Sequence, residues 1–469
     1  MKNTQAHWLI LLPMVTGLLV SCSHKAPATR VDREKWNHTT LNGIYETAGN
    51  RNPKWDKDAE DALNDYADSR TASEDEVKVL SDLIGDSAEN AVNEGCNDPM
   101  IHYLYVRYSS DVQAKPLQDR QDLFRTAAND LQNSSYPLIW KFYANYHAAD
   151  VLWYNHDANL EQQVAQFRGI ATSDLAQAVQ EKSFPEAEAY AATDVLFQLL
   201  QYSPEGMAYA YNEIESPLSH QPDKAAMADF VKATYYIQYA WEARGHGNAD
   251  QVTADGWRLF KERLDIAQKA LEHAWSLDQQ DAQIPILMIS VVLGEQTGRP
   301  EMEKWFDRAM KADPENYQAC RAKLHFLLPE WYGSRDDMLE FGRECVASTN
   351  WGGNVPLILV DAHLEYYNTL SAEESRGYWL LPDVWPDIQS SYEKYAQLNP
   401  DETHFRYPYA WYALYCLQTN DFVEQINLIR TNDGEINYNY FGGKRAFDRA
   451  WAFATGTPMS TNGAAASSQ

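Results

Sequence analysis

His147 and Asp150 stand three residues apart, and His156 and Asp157 follow shortly after. Imidazole and carboxylate groups are metal donors, and an i, i+3 pair shares one helix face. A polar helix face accounts for the same four residues, and no metal site is assigned to them. His363 and Glu365 are two apart and diverge on a helix. The sequence holds no HExxH, no glycine–lysine phosphate loop, no GxSxG elbow and no CxxC. "GGKRAF" (442–447) lacks the earlier glycine that a phosphate loop needs. No catalytic residue, metal or cofactor is therefore assigned, and the chain is expected not to be an enzyme.

Binding residues are easier to find. Ser371–Asp387 carries Tyr378, Trp379 and Trp385 among leucines and two prolines. Aromatics in a loop at a groove mouth contact peptides or sugar rings, and they also cover helix ends. Arg244 and His246 lie in the turn "RGHG", readable as a functional or a structural turn. Cys320 and Cys345 fall on the core faces of consecutive helices. The sequence leaves open whether they pair or stay as buried thiols, and four cysteines beyond Cys22 allow three connectivities.

The elements that must position these residues are helices. Met302, Trp305, Phe306, Ala309 and Met310 recur at i, i+3, i+4, i+7 and i+8, one apolar face. Tyr317, Cys320, Leu324 and Leu327 repeat it, then Met338, Phe341, Gly342 and Cys345. Pro314 suits the first turn of the helix after Asp313, and Ser334 can cap another, with Asp337 three residues on. Ala274, Ala309 and Cys345 hold one place in successive units, 35 and 36 residues apart. The aromatic insertion delays the next such residue, Tyr395, by 50; Ile429 follows after 34. A period near 34 residues marks stacked helical hairpins, each burying the face its neighbour exposes.

Phe306, Ala309 and Pro314 carry a resemblance to the tetratricopeptide repeat superfamily, whose second helix has an aromatic, then Ala, then Pro at this spacing. Other units match loosely. Gln279 stands for the proline in one, and Ser290 and Leu293 replace the small residue and tyrosine of the first helix. The resemblance implies an all-α fold of tetratricopeptide-like hairpins in a right-handed α-solenoid, with a groove for protein or peptide. A second resemblance covers about 225–430. "AWEARGHGNADQVTADGWRLFKERL" and "LLPEWYGSRDDMLEFGRE" are similar to an uncharacterised bacterial family of repeat-like proteins, a domain of unknown function. It implies fold and no activity.

At the N-terminus, Trp8–Val20 is an apolar run too short to span a bilayer. It ends in Leu19-Val20-Ser21-Cys22, which resembles a bacterial lipobox. The resemblance implies cleavage before Cys22 and lipid attachment to its thiol; an ordinary signal peptide is the other reading. Ser23 rather than Asp follows, implying the outer membrane, facing the periplasm. Several acyl chains anchor stably, at ~0.8 kcal/mol per buried CH₂.

This reading divides the chain into a signal peptide (1–21), a tether (22–55) and an irregular helical block without a fixed period (56–212). A linker (213–227), a repeat domain (228–455) and a disordered tail (456–469) follow. The net charge of −28 excludes nucleic acid as a partner. The expectation is a lipid-anchored scaffold for an envelope protein or peptide. A glycan-binding nutrient-capture lipoprotein is the alternative, and an envelope enzyme on a helical scaffold is third.

Overall fold

Apolar helix faces punctuated by polar, capped turns can be buried only against one another. In a computed structural model the chain forms an all-α repeat solenoid. The structure describes residues 30–457 apart from 182–183, 185, 202, 246 and 433–435. Among the described residues there are 21 α-helices and no strand.

The N-terminal half holds α1 (Arg30–Ala48), α2 (Asp56–Ser69), α3 (Glu74–Asn93), α4 (Pro99–Tyr108) and the short α5 (Ser110–Gln113). It continues with α6 (Leu117–Gln132), α7 (Leu138–Trp153), α8 (Glu161–Ala178), α9 (Glu186–Leu200) and α10 (Pro204–Ser219). The repeats follow as α11 (Ala225–Arg244), α12 (Ala254–Leu277), α13 (Gln283–Glu295), α14 (Arg299–Ala312), α15 (Tyr317–Phe326) and α16 (Arg335–Ala347). α17 (Ile358–Asn368), α18 (Val384–Leu398), α19 (Arg406–Tyr415), α20 (Thr419–Asn432) and α21 (Lys444–Thr455) complete them.

The spacing argument holds helix by helix. Ala274, Ala309, Cys345, Tyr395 and Ile429 fall on α12, α14, α16, α18 and α20, each at most 1% exposed. Ser334 caps α16, accepting from the Asp337 amide at 3.1 Å. Pro314 differs from its expected role. It lies in the turn, and Asn316 caps α15 by accepting from the Ala319 amide at 2.9 Å. Gly342 allows α16 and α17 to touch: a Cβ there would meet the Leu359 Cα at 2.8 Å.

Two expected segments change. The tether contains α1, whose Asn37, Leu41 and Tyr45 are fully buried at i, i+4 and i+8. Only two of these three are apolar, so the stripe is weak in the sequence. The linker is mostly helical too. α10 continues through Pro217 to Ser219, because Ile214 and Leu218, four apart, are both fully buried. One core then runs without a break from Trp36 to Cys416, so 213–227 separates no cores.

The array returns on itself. Val79 of α3 is fully buried in a second core with Tyr407, Ala410, Phe422 and Ile426 of α19 and α20. The Tyr395 hydroxyl donates to Glu76 Oε1 at 2.8 Å across 319 residues of sequence. Glu76 is itself held by the N-cap of α3, its Oε2 accepting from the Ser73 amide at 2.9 Å.

Candidate functional site

The insertion is fastened down by a polar chain. Asp387 Oδ2 lies 3.1 Å from His363 Nε2, and His363 Nδ1 lies 2.7 Å from the Tyr378 hydroxyl. An ionised Asp387 can only accept, so Nε2–H donates to it and Nδ1 accepts from the Tyr378 hydroxyl. Arg343 adds a two-pronged ion pair, Nε at 3.1 Å from Oδ1 and Nη2 at 2.7 Å from Oδ2. Burial pushes the Asp387 carboxyl up, but the His363 hydrogen bond and the Arg343 pair hold it below its usual value. Burial raises the Tyr378 phenol.

In this geometry the rings of the insertion pack against neighbouring helices, as aromatics that cover helix ends do. Tyr378 is buried, stacked on Tyr366 at 5.2 Å. Trp379 packs among Tyr367, Tyr412 and Tyr415, with centroids at 5.4, 5.4 and 6.1 Å. Trp385 stacks on Tyr409 at 5.9 Å. Leu380 and Leu381 of the insertion are exposed, at 54% and 51%, as are Tyr415 and Leu417 at the end of α19, at 47% and 53%. Leu417 is presented by a left-handed backbone, φ 57°. The sequence left both readings open because ring type is visible and side-chain direction in an irregular loop is not.

Behind the insertion α18, α19 and α20 enclose a cleft of about 310 Å³. Gln389, Glu393, Gln397, Asp421 and Glu424 form its rim, and Tyr409 lies in its floor. Tyr409 is braced on both sides, by Trp385 and by Tyr392 at 4.8 Å. Burial first, then the nearby Glu393, Asp421 and Glu424 carboxylates, hold its phenol protonated far above neutrality. Asp421 sits in the first turn of α20, where the helix dipole favours its charge. The cation of the lining, Arg406, donates to Gln425 at 3.0 Å and lies 4.9 Å from the Phe405 ring. Periodicity placed these helices but could not show that polar rim residues on α18 and α20 face each other. A smaller cavity of about 20 Å³ lies where α2 and α3 meet α18, with Glu34, Asp68, Glu76 and His404 around it. It has room for about one water.

The other candidates do not converge. Arg244 lies between Trp241 and Trp257, 5.4 and 5.5 Å from their rings, and donates to the carbonyls of Gly245 and Gly247. It fixes its own turn; His246 lies outside the described residues, as does Cys22. His147 Nδ1 pairs with the Tyr103 hydroxyl at 2.8 Å, His156 packs edge-on to Trp153, and Asp157 caps the next turn. Among the described residues no group of three or more His, Cys, Asp or Glu gathers in metal-binding geometry. Cys96, Cys320, Cys345 and Cys416 are free and buried. Cys320 and Cys345 do meet: burial pushes the Cys345 thiol up, and its hydrogen bond with Cys320 adds to this.

No family model matches the chain, and no curated protein matches it. The resemblance over about 225–430 therefore gains no family assignment. Among solved structures the chain is similar to one described as a circular tandem repeat protein with novel repeat topology and enhanced subunit contact surfaces. The identity is 13% over 90% of each chain, with a TM-score of 0.22. A superposition that loose carries no argument; the fold rests on the helices themselves.

Proposed function

We propose that this chain is a lipid-anchored scaffold of the bacterial envelope that binds a protein or peptide in the α18–α20 cleft. The observation carrying the reading is the cleft itself, set in a helical repeat whose insertion is locked in place. Helix pairs that stack present open, rigid surfaces, and a braced floor limits the ordering cost of binding. A glycan-binding role is less well served, because the insertion's rings pack inward. Lipid attachment at Cys22 rests on the motif alone. Among the described residues no helix is long and apolar enough to cross a membrane.

The test is affinity capture from detergent-solubilised membranes, using the lipidated chain. A partner held by the native protein should be lost when Ala396→Trp fills the cleft, with the circular dichroism spectrum unchanged. Capture of the same partner by the filled variant would move the contact elsewhere. Cys22→Ser should shift the protein out of the membrane fraction without altering capture; continued membrane retention would contradict the anchor.

A further inference from the structure

Two of the four buried thiols meet, and they sit on successive helices. Cys320 on α15 is fully buried and Cys345 on α16 is 1% exposed. The Cys345 thiol is hydrogen-bonded to Cys320, and the Cys320 thiol in turn donates to the Met310 thioether of α14 at 3.7 Å. The other two thiols have different company. Burial, with Asp98 and Asp56 nearby, pushes Cys96 up to about 11 in the turn between α3 and α4. Burial alone pushes Cys416 up to about 12 at the end of α19. Two thiols in contact differ from a disulfide by two protons and two electrons. Cys320 and Cys345 are 25 residues apart, a span over which a crosslink takes freedom from the unfolded chain.

We infer that Cys320 and Cys345 are a modification site: in an oxidising compartment they join as a disulfide that staples α15 to α16, while Cys96 and Cys416 stay reduced. The oxidant is itself a disulfide, small or carried by a protein. The Cys345 thiolate attacks one of its sulfurs, forming a mixed disulfide and releasing the first thiolate. The Cys320 thiolate then attacks Cys345 Sγ, closing the protein bond and releasing the second. Two protein thiols are oxidised, one external disulfide is reduced, and the two protons lost by the cysteines end on the thiols released. From their present contact the sulfurs close to about 2 Å. In the folded chain burial, reinforced by the Cys320 hydrogen bond, holds the Cys345 thiol protonated, and the thiolate is the form that reacts. The exchange therefore runs while α15 and α16 fold or part, and the finished bond is shut away from reductants. Its consequence lies in α16, which carries Arg343, the ion-pair partner of Asp387 that fastens the insertion. Pairing is a property of the fold; its occurrence in the cell rests on the envelope reading above.

The experiment refolds the full chain from urea in a glutathione redox buffer, with Cys22→Ser so that only the four buried cysteines report. Free thiols are then alkylated in denaturant and located by peptide mapping. The expected result is a peptide pair linked through Cys320 and Cys345, with Cys96 and Cys416 alkylated. C96S/C416S should keep the link. Four alkylated cysteines in chain that has regained its circular dichroism spectrum, or a link to Cys96 or Cys416 instead, would overturn the inference. In the oxidised native chain, dithiothreitol should cut the bond at least about tenfold more slowly than in urea; equal rates would overturn its placement in the core. Thiol trapping in intact cells separates this inference from the envelope reading. A link found there supports both. Free thiols in cells beside a link in the refolded chain would contradict the envelope location and leave the pairing standing.

Discussion

The two halves of the molecule hold themselves together by different means. From α11 onward, equivalent positions recur, and each is buried between successive helices. In the block from α1 to α10 the helices follow no period, and buried polar groups fix their arrangement. Arg70 pairs with Glu188 at 2.7 Å, with side chains 8% and 0% exposed. The Tyr143 hydroxyl donates to the same Glu188 oxygen at 2.7 Å, and the guanidinium lies 4.5 Å from the Tyr143 ring. Three helices, α2, α7 and α9, meet at that point. A repeat can choose its register from apolar shape alone. An irregular assembly gains one arrangement from a pair that is costly to leave unsatisfied.

The largest effect should come from breaking that pair. Glu188→Ala leaves Arg70 without its principal counter-charge, and urea denaturation should show a loss of about 3–5 kcal/mol. The double change R70M/E188L should recover most of it. A loss below about 1 kcal/mol for Glu188→Ala would mean that the pair does not specify the block.

pH should separate the halves next. Asp65 and Asp194 are raised to about 7, and Asp174 to about 6, burial being the first cause in each, and all three lie in the N-terminal block. A folded-state value above the unfolded one means the native state holds more protons in between. Stability is then greatest below the unfolded value near 4 and falls as pH rises to about 7. Hydrogen exchange, corrected for intrinsic rates, should show α2, α8 and α9 loosening over that window. Asp194→Asn should reduce the slope; an unchanged slope would remove that residue from the account.

In the repeats the sensitive quantity is shape. Gly342→Ala should cost about 1–3 kcal/mol, because the new methyl meets the Leu359 backbone. The smallest effect on stability, within about 0.5 kcal/mol, is expected for L380S/L381S, since these side chains face solvent. The same variant should weaken partner capture. Undiminished capture would confine the contact to the cleft.

The contrast also explains what the sequence disclosed. Ala274, Ala309, Cys345, Tyr395 and Ile429 could be found by counting, because period is a one-dimensional signal. The meeting of Arg70 with Glu188, 118 residues apart, has no such signal, nor has Tyr395 with Glu76. α1 was hidden by Asn37 in its buried stripe, and Pro217 suggested a break that the burial of Ile214 and Leu218 overrides. The insertion was located through the spacing it interrupts, but which of its side chains face solvent depended on His363 and Asp387. No residue lining the cleft was assigned a binding role from the sequence; Trp385, which was, stacks on Tyr409 of its lining.

If one half buttresses and the other binds, a photo-crosslinking residue should report the difference in living cells. Placed at Gln397 on the cleft rim, it should give a discrete adduct with an envelope protein; at Gln162, exposed on α8, it should give none. Adducts from Gln162 without any from Gln397 would contradict the assignment of binding to the repeat half.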